Sequence, residues 1–89
     1  MFYIYAIKST THNRIYVGLT SNLKTRIREH NAGKTKSTKF YKPWILLYHE
    51  TVESRTNARN REKYLKSGYG KEFLKTIAPV AHKDRAAVS

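Results

Sequence analysis

The chain contains no cysteine, and only six of its 89 residues are acidic. Without thiols there can be no disulfide framework, no thiolate zinc site and no catalytic cysteine. Long apolar runs are also missing: no stretch is fit to span a bilayer, and no amphipathic segment is rich enough in bulky apolar residues to lie on one. No internal repeat or low-complexity linker divides the chain. A hydrophobic fraction of 39% suffices for one compact core, so the expectation is a single domain, near the lower size limit for unaided folding and held by packing alone. The opening "MFYIYAIK" enters a strand-like pattern at once with no signal peptide before it, which gives the expectation of a cytoplasmic protein.

The shortage of acids leaves eighteen Lys and Arg residues largely uncompensated, for a formal net charge of +12. A small domain this basic repels itself unless a polyanion screens it. Nucleic acid is the expected polyanion, because phosphate neutralisation releases its counterions. General solubility and an anionic membrane surface are the competing accounts, and the missing apolar segments weigh against the membrane.

Two strand-like runs, Phe2 to Lys8 and Arg14 to Thr20, flank the turn-forming "STTHN" and predict an antiparallel hairpin. Alternation places Ile15, Val17 and Leu19 with Phe2, Ile4 and Ala6 on a plain core face. Tyr16, Gly18 and Thr20 share the other face with Tyr3, Tyr5 and Ile7. That face is rich in hydroxyls and has a side-chain-free spot at Gly18, opposite or near Tyr5, into which a phosphate could come. The run "TSNLKTRIREHNAGK" predicts a helix capped by Ser21 or Asn22 and closed by Gly33, with Leu23 and Ile27 inward. Arg26 and His30, one turn apart, flank that stripe. A basic loop from Gly33 to Lys42 follows, with Lys34, Lys36, Lys39 and Lys42. "WILLYHETV" then predicts a third strand of buried character. "NARNREKYLKSG" predicts a helix opened by Ser54 or Thr56 and ended by Gly68. "KEFLKTIA" predicts a short last helix stopped by Pro79. The predicted order is β-β-α-β-α-α, an α/β (α+β) fold with a three-stranded antiparallel sheet flanked by helices. Residues 1–78 form the expected domain and 79–89 a disordered tail.

Several residues are poor choices for packing alone. Glu62 falls beside the apolar stripe of its helix, where an unpaired carboxylate is costly. From spacing, an ion pair with Arg61, Arg26 or a nearby lysine is the leading account, and a metal-ligand role is the other. No two acids show metal-ligand spacing, so a site built on paired carboxylates is not expected. His30 alone reads as structural. Arg26 beside the hydroxyl-rich face is more telling, because a guanidinium fork matches a phosphate and can offset charge growing on it.

These features resemble the GIY-YIG nuclease superfamily over about residues 1–77, most of all its short stand-alone bacterial members. "YIY" at Tyr3 to Tyr5 and "YVG" at Tyr16 to Gly18 are similar to the two motifs that name it. "LTSNLKTRIREHNAG" resembles the helix bearing its essential arginine, and "NARNREKYLKSGYGKEFLK" the helix bearing its metal-binding glutamate. Each motif alone is short, and the specificity lies in their order and spacing.

The resemblance implies an endonuclease that hydrolyses DNA phosphodiesters with one divalent ion, Mg²⁺ with Mn²⁺ as an alternative, and does not exclude RNA. It assigns Tyr5 to activating the attacking water, Tyr16 to orienting water or phosphate, and Arg26 to stabilising the pentavalent phosphate. It makes His30 a hydrogen-bonding helper, Glu62 the metal ligand and Gly18 the glycine of the second motif. Because a phenol with pKa near 10 is a poor base at neutral pH, Tyr5 would need cations such as Arg26, Lys24 or the metal nearby. Lys24, Lys34, Lys36 and Lys39 are the expected backbone contacts, giving structure-selective or low-specificity cleavage, in repair or recombination. A monomer or weak homodimer is expected, with specificity open to supply by a protein partner. A nucleic-acid-binding module that keeps the fold with little turnover is the alternative. The chain departs from the family in having Tyr3 where the motif has glycine, and in having no Asn or Gln after Asn60.

Overall fold

The computed structural model describes residues 1–77. The expected tail, and Pro79 as a helix stop, lie outside the described residues. The elements are β1 (Phe2–Ser9), β2 (Ile15–Thr20), α1 (Leu23–Asn31), a 3₁₀ turn (Lys39–Tyr41), β3 (Trp44–Val52), α2 (Arg55–Lys66) and α3 (Gly68–Thr76). The order is the predicted β-β-α-β-α-α. The sheet is antiparallel with strand order β2-β1-β3.

β1 is central, which explains its run of buried residues from Ile4 to Ile7. β3 was expected to be a buried strand. It is an edge strand with Ile45 and Leu46 exposed, because only β1 pairs with it. The hairpin pairs Tyr5 with Gly18 and Ala6 with Val17. Its connection is pinned by Ser9, whose Oγ accepts from the backbone N–H of Thr11 and His12 and donates to the Tyr41 carbonyl.

Both faces of the sheet are covered. Ile4, Ala6 and Val17 pack with Ala58 and Leu65 of α2 and Leu74 of α3. On the opposite face Tyr5, Ile7 and Trp44 pack with Tyr16, with Leu23 and Ile27 of α1, and with Tyr41. The tyrosine face is thus a second small core as well as a cavity wall. A one-residue bulge in β3, opposite Ala6 and Ile7, makes this possible. Trp44 and Tyr48 are four residues apart and would share a face of an unbroken strand. The bulge sends Trp44 to the α1 side and leaves Tyr48 on the other.

Each helix begins with a side-chain cap. Asn22 accepts from the Thr25 N–H, Ser54 from Asn57, and Ser67 from Gly70, satisfying donors that the first turn leaves unpaired. Ser67 both ends α2 and caps α3, so α3 begins at Gly68, where the sequence reading had placed the end of the preceding helix. A Cβ at Gly70 would run into the Leu65 backbone; this close approach lets α3 fold back on α2. α2 is clamped to β3 by a forked pair, Arg61 Nε to Glu50 Oε2 at 2.6 Å and Nη2 to Oε1 at 3.0 Å, with the Tyr48 hydroxyl also donating to Glu50. The Arg61 bond holds the Glu50 carboxyl below its ordinary range. No helix among the described residues is long and apolar enough to cross a membrane.

Candidate active site

β1, β2, α1 and α2 each contribute to a cavity of about 360 Å³. Tyr5, Tyr16, Gly18, Arg26 and Glu62, all singled out from the sequence, line it. So do Arg55 and Arg59, which were not. Their spacing to Glu62, seven and three residues, puts all three on one side of α2, and that was a readable signal. Lys24, Lys34, Lys36 and Lys39 are exposed and do not line the cavity.

The Tyr5 ring lies across Gly18. A Cβ built on Gly18 would sit 2.5 Å from the Tyr5 hydroxyl oxygen and 2.6 Å from Cζ. The side-chain-free spot read as a berth for phosphate is therefore filled by the phenol itself. Glycine is needed there so that Tyr5 can reach past β2 to its partner. The rings of Tyr5 and Tyr16 are 6.3 Å apart, and both lie beside His30, at 5.8 and 5.0 Å.

His30 was expected to flank the inward stripe of α1. It is fully buried behind Tyr5. Its Nε2 is 2.8 Å from the Tyr5 hydroxyl and its Nδ1 is 2.8 Å from Oγ1 of Thr38, itself buried. Thr38 donates to the Thr35 carbonyl and so has an oxygen lone pair free for an Nδ1–H. That assigns the tautomer: Nε2 is unprotonated and accepts the Tyr5 proton, and no buried side-chain nitrogen or oxygen among the described residues lacks a partner. The Trp44 indole N–H donates to the Thr38 carbonyl at 2.9 Å and fixes the far end.

Burial, then the nearby Arg26 cation, pushes His30 down to about 4, with Glu29 opposing, so the ring is neutral at physiological pH. Burial pushes Tyr5 up to about 12, against the pull of Arg26 beside it. Tyr5 is thus a neutral phenol whose proton is held by His30. Arg26 forms a 3.0 Å pair with Glu29 and is held above its ordinary value by that contact first and by Tyr5 second. Glu62, 17% exposed, meets Lys66 one turn on at 3.3 Å, the nearby-lysine pair that spacing favoured. Among the described residues no three His, Asp or Glu side chains converge as a metal cage.

The family model described as the GIY-YIG catalytic domain matches residues 1–76. A UPF0213 protein of Staphylococcus haemolyticus is 40% identical over 76 residues, covering 84% of this chain and 92% of the relative. A UPF0213 protein of Clostridium perfringens is 34% identical over 85 residues, covering 94% and 90%. The solution NMR structure of a UPF0213 protein from Bacillus halodurans covers 85% of this chain and 84% of its own, with 29% identity and a TM-score of 0.51.

Proposed function

This chain belongs to the GIY-YIG catalytic domain family, within a nuclease superfamily, and on that premise we propose that it is a metal-dependent endonuclease hydrolysing DNA phosphodiesters with low sequence specificity. One domain, residues 1–78, carries the activity. The supporting observation is the single cavity in which two phenols, three arginines and one carboxylate meet. A structural ion-pair network would not need the phenols, and a binding surface would not need the acid.

GIY-YIG nucleases are generally metal-dependent. Glu62 fits one hard divalent cation, Mg²⁺ or Mn²⁺, because it lines the cavity and, among the described residues, its carboxylate pairs with one exposed lysine. A lone carboxylate with water and substrate oxygens is how Mg²⁺ is usually held. When bound, such an ion offsets negative charge on the phosphate and its leaving oxygen.

The chain's own residues supply positioning and proton transfer. The Tyr5 proton points to His30, which leaves the oxygen's lone pairs for Arg26 beside it and for a water admitted with the substrate. A proton taken from that water by Tyr5 Oη is matched by the release of Tyr5's own proton to Nε2 of His30. The phenolate, disfavoured by burial, never has to form free. His30 resists this proton in the resting protein because of burial and Arg26. A phosphate in the cavity opposes the Arg26 field and raises the imidazole's affinity for the proton. Arg26 meets the growing charge on the phosphate, and Tyr16 orients water or phosphate from the other strand.

Labelled duplex, flap, fork and four-way-junction DNA, incubated with Mg²⁺, Mn²⁺ or chelator, tests this reading. Metal-dependent cutting that is lost in Glu62→Ala and Arg26→Ala is expected, with Glu62→Ala keeping its DNA affinity. Salt-sensitive binding without cutting of any substrate under either metal would instead make the domain a binding module on a nuclease fold.

A further inference from the structure

β3 lies at the edge of the sheet, and the backbone shows which of its groups face away from β1. In an antiparallel ladder each residue turns its N–H and C=O to one side, and neighbours alternate. The Ser9 N–H donates to the Arg14 carbonyl at 2.9 Å, so Ser9 faces β2. Its partner Trp44 faces away from β1 and gives both backbone groups to the side-chain amide of Asn31 in α1. Alternation along β1 then turns Phe2, Ile4 and Ala6 toward β3, where they meet Val52, Glu50 and Tyr48. The residues of β3 left facing outward are Leu46, His49 and Thr51, and all three are exposed.

Free edges are commonly blunted by lysine or proline. β3 has its bulge but no Lys, Arg or Pro in its nine residues. β2, the other edge, leaves no side chain exposed. On β3, Ile45 and Leu46 are 40% and 42% exposed, with exposed Phe40 in the turn before it and exposed Phe73 against its Tyr48. Charge selects the occupant of this apolar edge. Between Lys42 and Arg55 the chain has no Lys or Arg, its longest such interval, and has two of its six acids, Glu50 and Glu53. A second copy, also at +12, is repelled least here. Lys39 and Lys42 precede the strand and Glu53 follows it, none of them in an ion pair among the described residues. An antiparallel copy sets each Glu53 toward the lysine end of its partner strand, whereas a parallel copy would set like charges together.

We propose that β3 pairs antiparallel with β3 of a second copy, joining two three-stranded sheets into one continuous sheet with twofold symmetry. The outward groups of Leu46, His49 and Thr51 gain backbone partners, and the exposed Ile45 and Leu46 are covered. Such an interface is isologous, each copy offering the same edge to the other. The twofold axis runs perpendicular to the sheet, so both α1 faces lie on the same side. The pairing does not rest on the nuclease reading. On that reading it sets two cavities on one dimer, one for each strand of a duplex.

Sedimentation equilibrium of nucleic-acid-free protein, from about 10 µM to about 1 mM as suits a small interface, tests the pairing. The mass should rise from that of one chain to twice that value. Raising NaCl from about 0.1 to about 0.5 M should tighten association on the order of threefold, because screening relieves the repulsion between two cationic copies. Thr51→Pro removes an outward N–H and leaves the ladder to β1 intact, and Leu46→Lys puts a cation on the edge. Each variant should keep the wild-type circular dichroism and weaken association by about tenfold or more. Amide exchange at Leu46, His49 and Thr51 should slow as wild-type concentration rises. Wild type that stays monomeric throughout would overturn the proposal. So would a dimer unchanged in both variants, whose interface lies elsewhere, or one that loosens with salt, which marks a bridging polyanion. Failure of Thr51→Pro alone to fold would put that N–H in the ladder with β1 and overturn the assignment of the free edge.

Discussion

Replacing Gly18 by alanine separates two explanations for a glycine in the middle of β2. If the position is open to admit phosphate, the added methyl group meets nothing in the free protein. Stability should then rise slightly, by about 0.5–1 kcal/mol, because alanine loses less backbone entropy than glycine, and only substrate handling should suffer. If the position is open to admit the Tyr5 ring, the methyl collides with a side chain already in place. The built Cβ lies 2.5 Å from the Tyr5 oxygen and 2.6 Å from Cζ, well inside van der Waals contact. Tyr5 is 1% exposed and cannot swing into solvent. Moving it stretches the 2.8 Å bond to His30 and orphans a buried ring nitrogen.

Overpacking costs about 1–3 kcal/mol, and a buried group left partly unsatisfied adds about 1 kcal/mol. Set against the backbone gain, the net destabilisation is about 2 kcal/mol. For a domain of this size that lowers Tm by roughly 10 °C. Urea unfolding gives the free energy, and Tyr5→Phe in the Gly18→Ala background gives the coupling. Removing the hydroxyl should recover part of the loss, since Cζ still crowds the methyl. A Gly18→Ala protein as stable as wild type, or more so, would refute the steric account and restore Gly18 as an open berth.

Acidification gives a second check. Between pH 6.5 and about 4 the unfolded chain takes up a proton at His30 that the folded chain refuses; stability therefore falls as pH is lowered through this window and levels off below it. At about 1.4 kcal/mol per pH unit the loss comes to about 3 kcal/mol, and a His30→Gln variant with the same acid loss would contradict the assignment. Thr38→Val removes the acceptor for the His30 Nδ1–H and should cost about 1–3 kcal/mol in urea unfolding, while lowering turnover more than DNA affinity. Glu50→Gln weakens the α2 clamp and should cost about 2 kcal/mol, with cleavage per folded molecule unchanged. Arg55→Ala with Arg59→Ala should reduce DNA affinity about tenfold and flatten its salt dependence by about two phosphate contacts, whereas unchanged anisotropy titrations would remove both from the substrate path.

What could be read beforehand was local. The hairpin register followed from a short polar turn and two alternating runs, and it places Tyr5 opposite Gly18. The bounds of β3 followed from Pro43 and the apolar run after it. The central position of β1 did not follow, because strand order depends on pairing across forty residues. The bulge was equally hidden: a continuous apolar run has no alternation to break. His30 was underrated for a related reason, since its second partner, Thr38, sits in a lysine-rich loop that looked like a solvated surface. Gly68 looked like a stop, and only the packing of α3 on Leu65 explains why Gly70 belongs inside a helix. Arg55 and Arg59 shared a legible stripe with Glu62. They were passed over because Arg55, in the first turn where the macrodipole is unfavourable to cations, and Arg59 a turn later resemble ordinary surface charge.

That unfavourable placement bears on how the cavity divides its work. Arg26 is tied to Glu29 at 3.0 Å and lies beside Tyr5, so its charge is already partly spent inside the protein. Glu62 is matched by Lys66. Arg55 and Arg59 also line the cavity and are exposed, with no carboxylate partner among the described residues, and Arg55, in the first turn of α2, is repelled by its own helix end. On the nuclease reading a phosphate would relieve that repulsion on arrival, while Arg26, tied to Glu29, would tune the Tyr5–His30 pair. On that reading capture and chemistry fall to different arginines, and a loss at Arg55 and Arg59 should register in affinity and a loss at Arg26 in turnover.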